Sequence, residues 1–171
     1  NIVDASNLER NLYLTTQLVE MGVPLLVVLN MVDVAESKGM KVSVAEVAAQ
    51  LGCPVLPVIA STGKGVPELK TAIGKAVEEG PRAKAAVAYS DELNTAIGKL
   101  AASIESASPA AKASPRWLAV RLLEGDDLAR KIVGDAMASE ARQAARQFGD
   151  DLDILVADAR YSLANRIANA S

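Results

Sequence analysis

Two polar side chains follow a short apolar run early in the chain. Asn30 and Asp33 stand three residues apart in "LNMVD", directly after the run "PLLVVL". A carboxylate such as Asp33 can accept two hydrogen bonds from a ring N–H and an adjacent exocyclic amine, a donor pair that guanine presents and adenine does not. The Asn30 amide can both donate and accept, so it could tie a bound base to a neighbouring loop. A turn that caps the next helix is the competing explanation, and on these four residues alone it is the better one.

A second candidate loop lies about thirty residues further on. It reads "VIASTGKG" from Val58 to Gly65, with Ala60 followed by Ser61 and Thr62. Small residues and glycines allow close backbone approach, so an amide N–H of this loop could bind a ring carbonyl oxygen. An ordinary strand-to-helix connection is the alternative. Two consecutive loops with matching chemistry favour a purine site.

Both loops follow apolar runs that predict strands buried on both faces. These runs are Leu25–Leu29 and Pro54–Ala60, and the end of another strand is predicted at Asn1–Asp4. Helical periodicity separates them, and an alternation of strand and helix predicts an α/β fold with parallel strands. The predicted helices are Asn7–Met21, a capping-box helix from Ser43 to Gly52, and Val66–Val77. Ligands bind at the carboxyl ends of such strands, so both polar loops are expected at one edge of the sheet.

The second half of the chain predicts helices and no strand of comparable strength. The predicted helices are Ser90–Ser106, one from Ser114-Pro115 through Leu123, Ala138–Phe148, and a long amphipathic helix from Leu152 to Ile167. The small, polar stretch 102–115 predicts a loop. Because composition changes at Gly80-Pro81, we predict a first domain at 1–79, a linker at 80–89 and an all-α helical bundle domain at 90–171.

Composition excludes several classes of function. Net charge is −3 and no basic block with interleaved aromatics occurs, so nucleic acid is not expected as a partner. The chain has one cysteine, Cys53, and no histidine, which excludes an internal disulfide, a histidine-based triad and a zinc site that uses histidine. The carboxylate pairs Asp126-Asp127 and Asp150-Asp151 are better explained as helix caps than as metal ligands, so we predict no metal site.

The two loops together resemble the fourth and fifth sequence elements of small GTPases, N-K-x-D and S-A-K. Longer stretches resemble the cytosolic N-terminal region of the FeoB family of bacterial ferrous iron transport proteins. These stretches are "NIVDASNLERNLYLTTQLVEMGVPLLVVLNMVD", "LGCPVLPVIASTGKGVPELKTAI", "RWLAVRLLEGD" and "ADARYSLANRI". The resemblance runs through nearly the whole chain, so it implies part of a P-loop-GTPase-like sheet followed by a helical domain.

The resemblance also implies a role for each loop residue. It makes Asp33 the carboxylate for guanine N1 and N2, and Asn30 the amide that holds the base and bridges the loops. Met31 replaces the usual Lys and would cover a face of the base. The Ala60 N–H would meet guanine O6. The same loop would be lined by Ser61 and Thr62.

One position departs from the GTPase pattern. Ile59 stands where many GTPases have a serine whose hydroxyl braces the loop. The residues leave open whether the loop is looser for this reason or whether Ser61 compensates.

No catalytic residue for GTP hydrolysis is predicted within the chain. No match to G-x-x-x-x-G-K-[ST] occurs, and the chain opens in what reads as a strand end, so we expect a fragment whose phosphate-binding loops lie upstream. The resemblance implies GTP and GDP as ligands and, for the complete G domain, Mg²⁺ and K⁺ held by residues outside this chain.

The implied function is GTP binding and hydrolysis that regulates Fe(II) uptake, at the cytoplasmic face of the bacterial inner membrane. The implied partners are the membrane domain of the same transporter, small accessory proteins and a second copy of the protein. Two alternatives remain: a non-catalytic interaction module, and a related G domain serving translation or tRNA modification.

Overall fold

The computed structural model describes residues 1–107 and 113–171, and their contacts form two compact units. The first unit comprises Asn1–Val87 together with Arg160–Ser171, and the second comprises Ala88–Ala159. The first unit is therefore discontinuous in sequence, because the chain returns to it after the second. The sequence predicted instead that the helical domain keeps every residue from 90 to 171.

The first unit contains a sheet of three parallel strands. They are β1 (Ile2–Asp4), β2 (Val27–Asn30) and β3 (Val55–Val58), in the order β1-β2-β3. Asn30 at the end of β2 pairs with Asp4 on one side and Val58 on the other. Val27, Val28 and Leu29 are all buried, as an apolar strand covered on both faces requires. The predicted parallel α/β sheet is confirmed.

Helices connect the strands and follow the last of them. In the first unit they are α1 (Leu8–Met21), α2 (Val32–Ser37), α3 (Val44–Leu51) and α4 (Val66–Glu79). The capping box of α3 is present, since the Ser43 hydroxyl accepts the Glu46 N–H at 3.2 Å. Helix α2 was not predicted, because six residues after a strand show no helical periodicity and no side-chain cap.

The second unit consists of helices packed around an apolar core. They are α5 (Asp91–Ala107), α6 (Pro115–Leu123), α7 (Asp127–Val133), α8 (Asp135–Ala145) and the first part of α9 (Leu152–Ala170). Their core is built from aliphatic side chains such as Ile97, Ile104 and Leu118, each fully buried. The predicted helical bundle is confirmed. Of the predicted loop at 102–115, residues 102–107 continue α5 and residues 108–112 lie outside the described residues.

Asp126 caps α7, as predicted. Its carboxylate accepts the Ala129 N–H at 2.7 Å and pairs with the Arg121 guanidinium. Both contacts favour the ionised form, so they hold the pKa of Asp126 below its usual range, with the Ala129 hydrogen bond as the larger cause.

The segment predicted as a linker is hydrogen-bonded to the first unit through much of its length. The Pro81 carbonyl accepts the Leu25 N–H at 2.7 Å, and the Lys84 N–H donates to the Leu51 carbonyl at 2.9 Å. Val87 is buried. These bonds fasten residues 81–84 beside the chain that enters β2 and the end of α3.

The last part of α9 is bound into the first unit by polar and aromatic contacts. The Arg160 guanidinium pairs with Glu20 at 2.7 Å, and their side chains are only 3% and 7% exposed. The ring of Tyr161 packs against that of Tyr13 at a tilt of 33°, with ring centroids 4.5 Å apart. At the end of the helix, the Ser171 carbonyl accepts the Ser43 N–H at 3.0 Å.

Among the described residues, no helix combines the length and apolar character needed to cross a bilayer.

We predict that Arg160→Met lowers the free energy of unfolding by about 3 to 5 kcal/mol, because it leaves the Glu20 carboxylate buried without this guanidinium. Urea denaturation followed by circular dichroism measures the loss. The matched control is Lys75→Met, which breaks the exposed pair of Lys75 with Glu79 and should cost less than about 1 kcal/mol. Equal losses in the two variants would contradict the prediction.

Candidate functional site

The candidate site lies at the carboxyl edge of the sheet, where β2 and β3 end side by side. Since Asn30 pairs with Val58 in register, the loops after the two strands start next to each other. The Ala60 N–H donates to the Asn30 side-chain oxygen at 3.1 Å. This hydrogen bond joins the two loops and leaves the amide nitrogen of Asn30 able to donate elsewhere.

The loop after β2 is a single tight turn. Met31 adopts the left-handed conformation, with φ 61° and ψ 32°, and α2 begins at the next residue. The Met31 carbonyl accepts the Ala35 N–H at 3.1 Å, which forms the first helical hydrogen bond. Asp33 lies in the first turn of α2 and is exposed. The side chain of Met31 is 39% exposed.

The loop after β3 is closed by its own hydrogen bonds. The Ile59 N–H donates to the Lys64 carbonyl at 2.9 Å, and the Thr62 N–H donates to the Ile59 carbonyl at 3.1 Å. The Thr62 hydroxyl also donates to the Ile59 carbonyl and accepts the Lys64 N–H. Thr62 therefore braces a loop in which Ile59 supplies no hydroxyl. Ala60 and Ser61 are exposed at its tip.

Gly65 lets this loop run against the end of β3. A Cβ atom on Gly65 would lie 2.5 Å from the Pro57 carbonyl oxygen, and the residue has a φ of 81°. The left-handed backbone favours glycine, and the close approach to the Pro57 carbonyl leaves no room for a Cβ atom. Gly63 has a similar φ of 78°, but a Cβ atom there would meet nothing within 4 Å.

The structure thus brings the two predicted loops to one edge and bonds Asn30 to Ala60. It places Asp33 at an exposed position in the first turn of α2, and Ser61 and Thr62 at exposed positions of the loop after β3. Sequence reasoning missed the bracing role of Thr62 and the steric role of Gly65; the only available signal was a glycine directly before the predicted helix at Val66. Within 1–107 and 113–171, no group of three or more Cys, Asp or Glu side chains could hold a metal ion.

Comparison with known proteins places this chain in a family. A family model described as ferrous iron transport protein B matches residues 1–73, and a model described as the FeoB cytosolic helical domain matches residues 89–171. The chain belongs to the FeoB family. The Fe(2+) transporter FeoB of Escherichia coli strain K12 is 41% identical over 165 residues, and that of Shigella flexneri is 42% identical over 167. Each match covers 94% of the chain and 21% of the transporter, so the chain spans about a fifth of these relatives.

Solved FeoB structures share the fold of this family member. The cytosolic domain of L. pneumophila FeoB superposes with a TM-score of 0.84 at 32% identity, covering 99% of this chain and 65% of that one. The S. thermophilus NFeoB structure bound to GDP·AlF4⁻ and K⁺ superposes with a TM-score of 0.80 at 32% identity, covering 98% of this chain and 66% of that one. The α/β sheet followed by a helical domain is therefore the FeoB arrangement.

We predict that Gly65→Ala destabilises the protein by about 2 to 4 kcal/mol, through left-handed strain and a clash with the Pro57 carbonyl. The matched control is Gly63→Ala, which carries the strain without the clash and should cost about 1 to 2 kcal/mol. Thermal or urea unfolding measures the difference. Identical stability of the two variants would contradict the prediction, because it would show that the end of β3 shifts at no cost to accommodate the added methyl group.

Proposed function

We propose that the two loops form the guanine-recognising part of a nucleotide site. The observation that carries the proposal is the hydrogen bond from the Ala60 N–H to the Asn30 amide, which holds the loops together at the edge where parallel sheets bind ligands. Membership of the FeoB family supports it, as do the S. thermophilus relatives solved with GDP and GMPPNP.

Each loop residue has a chemical role in this proposal. The exposed carboxylate of Asp33 accepts the N1–H and the exocyclic amine of guanine. Asn30 bridges the loops and donates its free N–H toward the base, while the stem of Met31 covers one face of the ring. A backbone N–H at Ala60 and the lining residues Ser61 and Thr62 complete the side of the ring that bears O6. The Ala60 N–H is shared with Asn30 in the structure, so O6 would be a second acceptor for it.

The complete protein would be a GTPase, with its phosphate chemistry performed outside this chain. Phosphoryl transfer depends on groups that hold the γ-phosphate and neutralise its charge, and the chain has no sequence of the G-x-x-x-x-G-K-[ST] type. Mg²⁺ and K⁺ would be bound together with the phosphates, by residues outside this chain. The relative solved with GDP·AlF4⁻ and K⁺ supports K⁺ for the family.

In the whole protein, GTP binding and hydrolysis would regulate ferrous iron transport. The curated relatives are Fe(2+) transporters about five times longer than the part they share with this chain. We therefore propose the membrane domain of the same protein as the partner of this region, at the cytoplasmic face of the inner membrane. Small accessory proteins and a second copy remain proposed partners. We keep 1–79 as the proposed G-domain part, 80–89 as the connection and 90–171 as the helical domain, which the family-model boundaries support.

The test is the base preference of Asp33→Asn in the full-length protein. Fluorescent-nucleotide competition gives the affinities for GDP, xanthosine diphosphate and ADP. Losing two hydrogen bonds to a carboxylate, about 1.5 to 3 kcal/mol each, predicts a GDP affinity at least about 100-fold lower. The affinity for xanthosine diphosphate should rise, because its C2 carbonyl can accept from the new amide.

The control variant is Glu36→Gln, which neutralises another exposed carboxylate on α2 and should leave all three affinities unchanged. An unchanged preference for GDP over xanthosine diphosphate in Asp33→Asn would refute base recognition by Asp33. A non-catalytic interaction module would bind none of the three nucleotides.

A further inference from the structure

Among the described residues, Met31 is the one non-glycine residue whose backbone adopts the left-handed conformation. Every other residue with positive φ there is a glycine. In the left-handed conformation the Cβ atom of an L-residue lies too close to the following carbonyl oxygen, which is unfavourable. Glycine has no Cβ atom and avoids this contact. Packing of the Met31 side chain does not explain the strain, because the residue is 39% exposed and no buried position holds it in this conformation.

The strained turn sits between the two side chains proposed to read the base. Asn30 is fixed from one side, because it ends β2 in register and its amide is bonded to Ala60. Asp33 is fixed from the other side by α2, whose first hydrogen bond ends on the Met31 carbonyl. No side chain caps α2. The φ and ψ of Met31 therefore set the direction in which α2 leaves the strand, and with it the position of Asp33 relative to Asn30.

We propose that Met31 is a positioning residue for base recognition, acting through its left-handed backbone rather than through its side chain. This inference rests on the proposed function, because it needs Asp33 to contact the base. In this case the side chain of Met31 contributes less to the selectivity for guanine than the left-handed turn at the same residue does.

Substitutions at position 31 can separate the backbone from the side chain. Leucine keeps an apolar, unbranched Cβ and tolerates the turn about as methionine does. Asparagine enters the left-handed region readily but has no apolar stem. Isoleucine keeps the apolar volume, but its branched Cβ makes a positive φ a severe outlier.

The experiment compares Met31→Leu, Met31→Asn and Met31→Ile in the full-length protein, using GDP and inosine diphosphate as probes. Inosine diphosphate lacks the exocyclic amine, so the ratio of the two affinities reports whether Asp33 is in place. Met31→Leu should keep this ratio and hold GDP within about threefold of the parent. Met31→Asn should also keep the ratio, but it should bind both nucleotides more weakly, because it lacks the apolar stem that covers the base. Met31→Ile should weaken GDP at least about tenfold and bring the ratio close to 1. General destabilisation would lower both affinities together and leave the ratio unchanged.

Two results would overturn the inference: Met31→Ile keeping the parent ratio, or Met31→Asn losing as much of it as Met31→Ile. If Met31→Ile does not fold, Met31→Gly is measured instead. Glycine adopts positive φ without strain, so this variant must retain the ratio of GDP affinity to inosine diphosphate affinity if only the turn is needed, and loss of the ratio would overturn the inference. Asp33→Asn separates this inference from the proposed function. If that variant leaves base preference unchanged, both fail; if it changes the preference while Met31→Ile does not, only the role of Met31 fails.

Discussion

Parallel pairing of β2 with a strand on each side is the constraint on which the site depends. The register places Asp4, Asn30 and Val58 level with one another, so every loop that follows a strand emerges at the same edge. Burial of the strand on both faces fixes that register, because a shift by one residue would move apolar side chains out of their layers. This alignment brings the Ala60 N–H within 3.1 Å of the Asn30 side-chain oxygen, so that the two loops are hydrogen-bonded to each other.

Much of the sheet could be predicted because its signal is local. The runs around Val28 and Leu56 are short, apolar and bounded by breakers, and the alternation with helices leaves parallel pairing as the simple solution. The position of the loops followed from the same argument. The turn at Met31 could not be predicted, since nothing in a methionine indicates positive φ and the conformation is imposed by the strand before it and the helix after it.

The return of the chain to the first unit could not be predicted either. Arg160 lies in an amphipathic helix whose pattern fits the helical bundle, and its partner Glu20 is 140 residues away. Hydrophobic periodicity shows which face of a helix is buried, but not which unit that face packs against. It therefore could not show that α9 belongs to the second unit up to Ala159 and to the first unit from Arg160. Arg160 is buried, but arginine is so rarely buried that a sequence-based prediction places it on the surface.

This discontinuity has a consequence for the order of folding during synthesis. Residues 1–87 emerge from the ribosome before Arg160–Ser171, which belong to the same unit but follow the whole of the second unit in the chain. The nascent sheet must therefore wait, with the surface that will receive α9 uncovered, while the helical unit forms from local contacts. Contacts between distant parts of the chain form late and slowly, so the docking of α9 is the natural last step in completing the α/β unit.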